Sequence, residues 1–461
     1  MNDINDVFDI IVIGGGPAGY LAAERAGCAG LRALLIEKSN VGGVCLNEGC
    51  IPSKTLLNSA KIYDHAIHGS EYGISVPAAA IDQGAVIARK NKVVDTLVSG
   101  IRKSLKANKV TLLEAEGIIK SKGKEGFIVG AGGKEYIGAK LIVATGSIPV
   151  IPDIPGVGDS IKKKFVLTNK EVLNLTDIPE NFVVIGGGVI GLEMAAYYNS
   201  VGSKVTVIEM LDHIAGSADR EISALLKNEY EKKGISFMLQ SKVVEIKEDR
   251  VIYEKNGKKF DAKASKVLLS IGRRPVITGF GLESIGVFTE NGAIVTDEKG
   301  LTNISGLYAA GDVNGKSMLA HTAYRESEVI INNIKGKKDV MRYGAIPSVI
   351  YTLPEAGSVG ETEETAKSKN IDYVVGKVPM LYSGRFVAEN GDGEGICKVL
   401  FDKAAGRMIG CHMIGPYASE IIVSAGIMVE KEMRIDEIKE IVFPHPTISE
   451  IIREAVFNVK L

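Results

Sequence analysis

The chain has no tryptophan, few cysteines and histidines, and no excess of charge of either sign. Its 461 residues include 0 Trp, 5 Cys and 6 His, and 55 basic side chains are balanced by 56 acidic ones. The formal net charge of -1 gives no electrostatic footprint for nucleic acid or for an anionic membrane surface. We therefore expect neither nucleic acid nor membrane as a partner.

A long apolar run and a targeting leader are also missing. The most apolar early stretch, residues 10–23, is 14 residues long and contains four glycines, whereas a transmembrane helix needs about 20 apolar residues. No basic leader with a small-residue cleavage site is recognisable. The protein is therefore expected to be cytoplasmic.

One sequence pattern occurs twice: an apolar run, then Gly-x-Gly-x-x-Gly, then a helix-forming stretch. The glycines are Gly14, Gly16 and Gly19 in the first copy and Gly186, Gly188 and Gly191 in the second. In each copy another apolar run ends in an acid, Glu37 or Glu209, 23 residues after the first glycine (37 − 14 and 209 − 186). In dinucleotide-binding βαβ units of this spacing, the glycines admit the pyrophosphate to a helix N-terminus and the acid binds ribose hydroxyls. The repeat predicts two Rossmann-like domains.

The second copy indicates which dinucleotide it binds. Glu209 is suited to accept a hydrogen bond from a ribose 2'-hydroxyl and to repel a 2'-phosphate. No arginine follows it until Arg220. NAD is therefore favoured over NADP.

Two cysteines, Cys45 and Cys50, lie directly behind the first glycine motif. Residues five apart on an ideal helix have Cα atoms roughly 8 to 9 Å apart, beyond the limit of about 7 Å for a disulfide. Bridging therefore needs a distorted turn, which residues 47–49 (Asn-Glu-Gly) supply. A helix that starts near Pro52 places Cys50 close to a positive helix end, where thiolates are stabilised.

The local alternatives for this pair are a structural disulfide, a zinc pair and two unrelated thiols. Zinc needs further ligands at short spacing, and the other cysteines are scattered singly, so no metal is expected. A structural disulfide is unusual in a chain without a secretory leader. A redox-active pair is favoured, and we expect small core residues at the remaining cysteines, Cys28, Cys397 and Cys411.

The segment FPHPTISE contains a candidate base. His445 lies between Pro444 and Pro446, which restrict its backbone, and Glu450 follows five residues later. Dithiol chemistry requires a base with a pKa near neutrality, and a carboxylate that holds the second ring nitrogen would complete a thiol, histidine and carboxylate arrangement. A structural or surface role is the alternative for this histidine.

Along essentially its whole length the chain resembles the flavin-dependent pyridine nucleotide disulfide oxidoreductases. The resemblance rests on GGGPAG, GGVCLNEGCIPSK, the ATG of residues 144–146, GGGVIGLE, IGRRP, AAGD and FPHPTISE. The IPSK ending resembles the lipoamide branch of the family rather than glutathione reductase. Two departures are Val44, where the family usually has Thr, and Ala-Gly-Ser at 215–217, where Leu-Pro-Gly is usual.

The resemblance implies that the first motif with Glu37 binds FAD and that the second motif with Glu209 binds NAD. It further assigns Asp312 to the ribityl chain of FAD. The other cofactor-binding residues implied in this way are Lys54, Gly117, Ala144, Thr145, Gly146, Gly272, Gly311, Ala320 and His321. A structural role for His321 is equally open.

The resemblance also implies catalytic roles. Cys45 exchanges with the substrate while Cys50 lies against the flavin. Lys54 lies near the flavin N5 and pairs with Glu193, although locally it could be an ordinary surface lysine. His445 and Glu450 serve the dithiol of the other subunit, which implies a homodimer.

The implied reaction is the oxidation of protein-bound dihydrolipoamide to lipoamide with reduction of NAD+ to NADH. The implied partners are lipoyl domains of 2-oxoacid dehydrogenase or glycine cleavage complexes. The alternatives are another NAD(P)H-dependent disulfide reductase of the family and a noncatalytic nucleotide-binding protein. Reductases with an extra C-terminal cysteine pair are disfavoured, because Cys411 lies 50 residues from the end (461 − 411).

The expected fold class is α/β, with two Rossmann-like dinucleotide-binding domains for FAD and NAD and a C-terminal α+β dimerisation domain. A helix is expected between residues 81 and 110, and short strands and helices after about residue 345. The expected domains are an FAD domain at 1–150, an NAD domain at 151–270, a return to the FAD domain at 271–344 and a dimerisation domain at 345–461.

Overall fold

The computed structural model describes residues 7–460. The α-helices are α1 (Pro17–Cys28), α2 (Gly43–Glu48), α3 (Cys50–Ile67), α4 (Gln83–Ala107), α5 (Val157–Lys162), α6 (Asn169–Val172), α7 (Val189–Ser200), α8 (Arg220–Lys232), α9 (Ala320–Ile334), α10 (Glu363–Ser368), α11 (Gly384–Asn390), α12 (Ala418–Glu430), α13 (Ile435–Lys439) and α14 (Ile451–Phe457). Short 3-10 helices span Gly69–Tyr72, Leu282–Ile285, Asp312–Asn314 and Met380–Tyr382.

The strands of the same residues follow in chain order. They are β1 (Val7–Ile13), β2 (Ala33–Glu37), β3 (Thr111–Glu114), β4 (Ile118–Lys122), β5 (Phe127–Ala131), β6 (Lys134–Val143), β7 (Ser147–Pro149), β8 (Val166–Leu167), β9 (Asn181–Ile185), β10 (Lys204–Ile208), β11 (Ser236–Met238), β12 (Lys242–Ile246), β13 (Arg250–Lys255), β14 (Lys258–Lys263), β15 (Lys266–Leu269), β16 (Arg273–Pro275), β17 (Thr289–Glu290), β18 (Ala293–Ile294), β19 (Leu307–Ala309), β20 (Ser348–Ile350), β21 (Glu355–Gly360), β22 (Tyr373–Pro379), β23 (Ile396–Asp402) and β24 (Met408–Gly415).

One compact unit of the chain comprises residues 7–55, 85–150 and 272–342. Its main sheet has the strand order β3-β2-β1-β6-β5-β4, with β19 also paired to β6. Strands β3, β2, β1, β6 and β19 are parallel, whereas β4, β5 and β6 are antiparallel neighbours. The apolar run of residues 33–36 in β2 fits a parallel strand that is covered on both faces.

The two faces of β1 enter separate hydrophobic cores. Ile10 and Val12 pack in a cluster with Ala22 and Ala23 of α1. Ile11 and Ile13 point the other way, into a second cluster. This alternation follows from the period of two along a strand, and each fully buried isoleucine contributes about 1.5–3 kcal/mol by burial. The two cores fix the end of β1, where the first glycine motif begins.

The second compact unit comprises residues 56–84, 151–271 and 343–460. Its parallel sheet has the order β11-β10-β9-β15-β8 and repeats the strand, glycine turn and helix arrangement of the first unit. An antiparallel sheet of order β12-β13-β14 follows β11 in the chain. The second glycine motif therefore also lies at the carboxyl end of a buried parallel strand.

The same unit ends in an antiparallel sheet of order β20-β21-β24-β23-β22. Helices α12 and α14 share a core with this sheet, including Ile422 and Ile452. The change to short strands and helices after residue 345 is thus confirmed, as is the helix expected between residues 81 and 110, which is α4. The division into four domain segments stays a prediction. None of the helices in residues 7–460 has the length and hydropathy needed to cross a membrane.

Candidate active site

The first glycine motif forms a tight turn between β1 and α1. Gly14 has φ +104°, and a Cβ atom there would lie 2.2 Å from the carbonyl oxygen of Ala144. A Cβ atom on Gly19 would lie 1.7 Å from the carbonyl oxygen of Gly14. Only glycine fits either position, because the turn and α1 pack directly on the backbone.

The acid predicted to bind ribose lies against this turn. Glu37 is buried and accepts hydrogen bonds from the backbone N–H of Gly15 at 2.6 Å and of Ser39 at 2.7 Å. Among the described residues, no side chain caps the N-terminus of α1 at Gly16, and its first turn contains no acid. Free N–H groups and a positive helix end suit a pyrophosphate, so these residues fit the adenine dinucleotide part of FAD.

The second motif repeats the first in detail. Gly186 has φ +103°, and a Cβ atom there would lie 2.5 Å from the carbonyl oxygen of Ser270. A Cβ atom on Gly191 would lie 2.3 Å from the Gly186 carbonyl oxygen, whereas at Gly188 it would meet no described atom within 4 Å. The middle glycine thus leaves open space at the N-terminus of α7, where a pyrophosphate approaches in such motifs.

Glu209 is held like Glu37. It accepts from the backbone N–H of Gly187 at 2.6 Å and of Leu211 at 2.8 Å. The first arginine after it, Arg220, bonds to Asp212 at 2.9 Å. Arg220 and a neighbouring histidine lower the pKa of the Asp212 carboxyl to about 2.

The departure at 215–217 has a definite backbone conformation. Ala215 has φ +63°, an unusual value for a residue with a side chain, and Gly216 has φ +58°. The N–H of Ala215 donates to the carbonyl of Gly187 at 2.8 Å. The altered segment is therefore fastened to the second glycine motif.

The cysteine pair lies at a break between two helices. Cys45 is in α2, Gly49 interrupts the helix, and Cys50 is the first residue of α3. The helix thus begins at Cys50, two residues before Pro52. This start is compatible with the proline, because the N–H that proline lacks would have no partner within the helix in the first turn. The two cysteines are not joined by a disulfide, and their thiols hydrogen bond to each other. This bond, followed by burial, raises the pKa of Cys45.

The loop that carries the cysteines rests on the first glycine motif. The N–H of Gly42 donates to the carbonyl of Gly15 at 2.8 Å. A Cβ atom on Gly43 would lie 2.6 Å from the Cα of Gly16. The amide of Asn47 closes the loop by donating to the carbonyl of Gly43 at 2.9 Å. The dithiol is therefore anchored directly beside the turn expected to take a dinucleotide.

Two tyrosines beside the dithiol were not predicted from the sequence. Tyr20 on α1 and Tyr324 on α9 share a hydrogen bond of 2.5 Å between their hydroxyl groups, with rings arranged edge to face. Burial raises the pKa of both tyrosines, and the electrostatic influence of Cys45 acts in the same direction on each. No local sequence pattern predicts this contact, since the two tyrosines are 304 residues apart.

A polar network surrounds the predicted flavin residue Asp312. Ser147 donates to Asp312, and the guanidinium of Arg273 donates to the side chain and the carbonyl of Ser147 at 2.8 and 2.7 Å. Burial lowers the pKa of Arg273, whereas Asp312, Glu48 and Cys50 act in the opposite direction. Ser147 and Arg273 were missed as individual site residues, although IGRRP contains the arginine.

The remaining predicted cofactor residues of this unit lie at element ends. Thr145 donates to the carbonyl of Val276 at 2.7 Å, and Gly146 accepts from its N–H at 2.9 Å. The N–H of Gly311 is bound by the buried carboxylate of Glu326 at 2.6 Å, a support that sequence reasoning missed. The others lie beside the ends of β1 and β2 (Gly117), at the end of β6 (Ala144), beside β16 (Gly272) and at the start of α9 (Ala320 and the exposed His321).

The predicted base and its carboxylate are in contact. Nδ1 of His445 lies 3.0 Å from Oε2 of Glu450. The histidine side chain is 77% exposed and the glutamate side chain 12%. Since a carboxylate accepts, Nδ1 carries the hydrogen and a neutral imidazole keeps Nε2 as an acceptor.

Family models match nearly the whole chain. Residues 8–327 match the pyridine nucleotide-disulphide oxidoreductase model, and residues 346–456 match the dimerisation domain of the same family. The chain belongs to the pyridine nucleotide-disulphide oxidoreductases. The match to the dimerisation domain supports a homodimer.

Curated relatives of this family align over almost the full length. The dihydrolipoyl dehydrogenase of Mycoplasma genitalium is 36% identical over 98% of this chain and 99% of its own. That of Chlamydia muridarum is 38% identical over 98% and 97%. Dihydrolipoyl dehydrogenase 1, mitochondrial, of Arabidopsis thaliana is 37% identical over 98% and 90%.

Two solved structures share the fold of this chain. LpdA of Mycobacterium tuberculosis aligns with a TM-score of 0.88 and 23% identity, covering 98% of this chain and 99% of its own. The HOCl-induced flavoprotein disulfide reductase RclA of Escherichia coli aligns with a TM-score of 0.84 and 25% identity, again covering 98% and 99%. The first of these likenesses shows the fold alone.

These matches confirm the family resemblance, the fold class and the assignment to the oxidoreductases. As a pyridine nucleotide-disulphide oxidoreductase the chain works with FAD and NAD(H). The roles of individual residues stay predictions, including those of Lys54 and Glu193. Lys54 lies one turn after Cys50 in α3, where its charge lowers the pKa of Cys45. Glu193 is buried in α7 and accepts from the N–H of Tyr351 at 3.2 Å.

Cysteines outside the dithiol partly contradict the sequence interpretation. Cys28, expected in the core, is exposed at the end of α1 and bonds to Asn108. It ends a helix whose buried residues lie on another face. Cys397 and Cys411 are buried as expected, but they are not isolated in space. They hydrogen bond to each other across β23 and β24, which with burial raises the pKa of Cys411.

Proposed function

We propose that this pyridine nucleotide-disulphide oxidoreductase oxidises protein-bound dihydrolipoamide to lipoamide and reduces NAD+ to NADH. The observation that carries the proposal is the placement of the Cys45–Cys50 dithiol directly on the first glycine turn, where Gly43 packs on Gly16. A structural disulfide or a plain nucleotide-binding module has no need of this placement. Relatives that share 36% to 38% of their residues with this chain carry the name dihydrolipoyl dehydrogenase.

In the proposed reaction, a thiolate of dihydrolipoamide attacks the Sγ atom of Cys45 in the oxidised pair. A mixed disulfide forms, and the sulfur of Cys50 leaves as a thiolate. The second substrate thiolate then displaces the sulfur of Cys45, which releases lipoamide and leaves two reduced cysteines. FAD, when bound, supplies the two-electron chemistry that restores the disulfide and reduces NAD+ with release of one proton.

His445 is proposed as the base that takes the substrate protons. Glu450 orients the ring through Nδ1, so that Nε2 is the atom that accepts a proton. The exposure of the His445 side chain suits a base that acts outside its own fold. We propose that it serves the dithiol of the second subunit in a homodimer.

The proposed cofactor assignment follows the two glycine motifs. FAD is bound by the first motif with Glu37, together with the Lys54, Asp312 and Thr145 regions. NAD is bound by the second motif with Glu209, whose carboxylate would repel a 2'-phosphate. The bond between Arg220 and Asp212 supports NAD over NADP, because it occupies the nearest following arginine.

The lipoyl group is proposed to come from another protein. The partners are lipoyl domains of 2-oxoacid dehydrogenase or glycine cleavage complexes, and the proposed location is the cytoplasm. Pull-down with isolated lipoyl domains of each complex type would identify the partner. Equal retention of all types would mean that the enzyme does not distinguish between the complexes, so that its partner depends on which complex is expressed.

The test is NADH formation by the purified holoenzyme with NAD+ and dihydrolipoamide. Parallel reactions contain NADP+ in place of NAD+, and glutathione in place of dihydrolipoamide. Activity with only the first pair supports the proposal. Turnover of glutathione instead would indicate another disulfide reductase of the family, and inactivity of FAD-loaded protein with every pair would support a noncatalytic role.

Two variants test the residue roles. Cys50→Ser should retain FAD and lose dihydrolipoamide oxidation, because the disulfide no longer forms. His445→Gln should lose a factor of about 10²–10⁴ in turnover, the usual contribution of a general base. His65→Gln, at an exposed position in α3, is the matched control. Near-normal turnover by either site variant would refute its assignment.

A further inference from the structure

A buried lysine lies in the C-terminal sheet, remote in sequence from every glycine motif. Lys398 on β23 is 2% exposed. Its Nζ atom lies 2.8 Å from Asp219, 3.1 Å from Glu221 and 2.9 Å from Glu363. An ammonium group has three hydrogen-bond donors, so each is matched by one carboxylate.

The three carboxylates keep the Lys398 side chain protonated. Burial by itself lowers the pKa of Lys398, but the carboxylates of Asp219 and Glu363 raise it above its usual value. The lysine therefore stays charged inside the protein. A buried cation of this kind constrains its partners, because each carboxylate that moves away is left without compensation.

One of these partners begins a helix. Oδ1 of Asp219 accepts from the backbone N–H of Glu221 at 3.0 Å and of Ile222 at 3.3 Å, and so caps the N-terminus of α8. The same oxygen receives the Lys398 ammonium. The start of α8 is thereby fastened to β23.

Helix α8 in turn holds the segment that follows the ribose-binding acid. Arg220 donates to Asp212 at 2.9 Å. The hydroxyl of Ser223 donates to the carbonyl of Ile214 at 2.8 Å, and both groups are buried. The first turn of α8 therefore fixes both ends of the stretch 212–214.

The final link reaches the nucleotide motif itself. Ala215 donates to the carbonyl of Gly187 at 2.8 Å, and Gly187 donates to Oε2 of Glu209 at 2.6 Å. The path from Lys398 to this acid consists of hydrogen bonds, an ion pair and short stretches of backbone. It connects the part of the chain that matches the dimerisation domain to the part that is proposed to bind NAD.

We propose that Lys398 is a positioning residue for the pyridine nucleotide: through Asp219 and α8 it holds the 212–215 segment, and with it Glu209, in the geometry that binds the adenosine ribose. This inference rests on the proposed function, since it takes the second glycine motif as the NAD site. It assigns to the C-terminal sheet a part in nucleotide affinity in addition to its match to a dimerisation domain.

The test replaces the ammonium with an uncharged side chain of similar length. In Lys398→Met holoenzyme we expect KM for NAD+ and the calorimetric Kd of NAD+ for the oxidised enzyme to rise by about fivefold to tenfold. The KM for dihydrolipoamide and the rate with ferricyanide as acceptor in place of NAD+ should stay unchanged. Lys377→Met is the matched control, because this exposed lysine bonds to Oε1 of Glu221 but does not contact Asp219.

A second variant separates positioning from stability. In Lys398→Met with Asp219→Asn the unpaired buried charge is removed, so the unfolding midpoint should recover toward that of the wild type. The Kd of NAD+ should remain raised, because the clamp on α8 is still absent. The double variant also serves if Lys398→Met does not fold.

Either of two results would overturn the inference. One is an unchanged Kd of NAD+ in both variants, and the other is a Kd that recovers together with the unfolding midpoint. Failure of the proposed function would give a different result from failure of this inference. In that case the wild-type enzyme itself would show no turnover with NAD+, before any variant is compared.

Discussion

Nδ1 of His445 lies 3.0 Å from Oε2 of Glu450, and the two side chains differ sharply in exposure, at 77% and 12%. The carboxylate is held at the start of α14, whereas the ring reaches into solvent. The glutamate can therefore fix the ring without blocking Nε2. This relationship makes Glu450 testable apart from His445.

Replacing Glu450 should impair the proposed base without removing it. We expect Glu450→Ala to lower kcat for dihydrolipoamide oxidation by about 10- to 100-fold, less than loss of the base itself. Glu450→Gln keeps an oxygen acceptor for Nδ1 and should fall in between. Steady-state kinetics of both variants beside His445→Gln provide the measurement. Equal activities of Glu450→Ala and wild type would exclude the orienting role.

The second glycine motif offers a matched pair of alanine variants. Gly188→Ala places a methyl group where no described atom lies within 4 Å, so the fold should tolerate it while the dinucleotide is blocked. We expect its Kd for NAD+ to rise at least about tenfold, which is 1.4 kcal/mol of binding free energy. Its unfolding free energy should change by about 1 kcal/mol or less.

Gly191→Ala should behave in the opposite way. Its methyl group would lie 2.3 Å from the carbonyl oxygen of Gly186, so α7 must shift away from β9. Overpacking of this kind costs about 1–3 kcal/mol. Urea unfolding and NAD+ titration of both variants are the measurements. If Gly188→Ala bound NAD+ normally, the assignment of the open space to the pyrophosphate would be wrong.

Stability should fall below neutral pH because of His412. This residue is fully buried in β24, its Nε2–H donates to the carbonyl of Glu361 at 2.8 Å, and Nδ1 has no partner among the described residues. Burial lowers its pKa. Lys398 acts in the same direction, whereas the Glu361 carbonyl, Asp219 and Glu364 act against it.

The lowered pKa of His412 sets the direction in which stability changes with pH. The unfolded chain takes up a proton near the ordinary histidine pKa of about 6.5, and the folded chain does so only at lower pH. The stability contributed by neutral His412 is therefore present above about pH 6.5 and is lost as pH falls from there toward the folded pKa. Urea unfolding at pH 7.5 and pH 5 should show a smaller pH effect for His412→Gln than for wild type, with His65→Gln as control. Equal pH effects would contradict the prediction.

Thiol counting should separate the cysteines by their environment. In oxidised native enzyme a thiol reagent should label one site per chain, the exposed Cys28. Reduction should add the two active thiols, and denaturation should add the buried pair Cys397 and Cys411, giving 1, 3 and 5 labelled sites. A reduced native enzyme that labelled all 5 would show that the C-terminal core admits reagent.

Local sequence patterns were sufficient to predict the two glycine turns, the acids that lie against them and the neighbouring cysteine pair. Gly14 and Gly186 could be recognised because a tight turn and a packed helix leave no room for a side chain. The need for glycine therefore shows as a pattern within a few neighbouring residues. The His445 and Glu450 contact was foreseeable for the same reason, since five residues separate them. The exposure of Cys28 was missed, because the face on which a helix end lies depends on what packs beside it.

The contacts that only the tertiary structure decided join distant residues. Tyr20 meets Tyr324, Gly311 meets Glu326, and Lys398 meets Asp219, and in none of these pairs does the spacing follow a period of helix or strand. By itself the sequence determined which chemistry is possible: two dinucleotide turns, a dithiol and a histidine with its carboxylate. Which further side chains hold those groups was decided by packing, because burial and hydrogen bonding in a folded core depend on distance in space and not on distance along the chain.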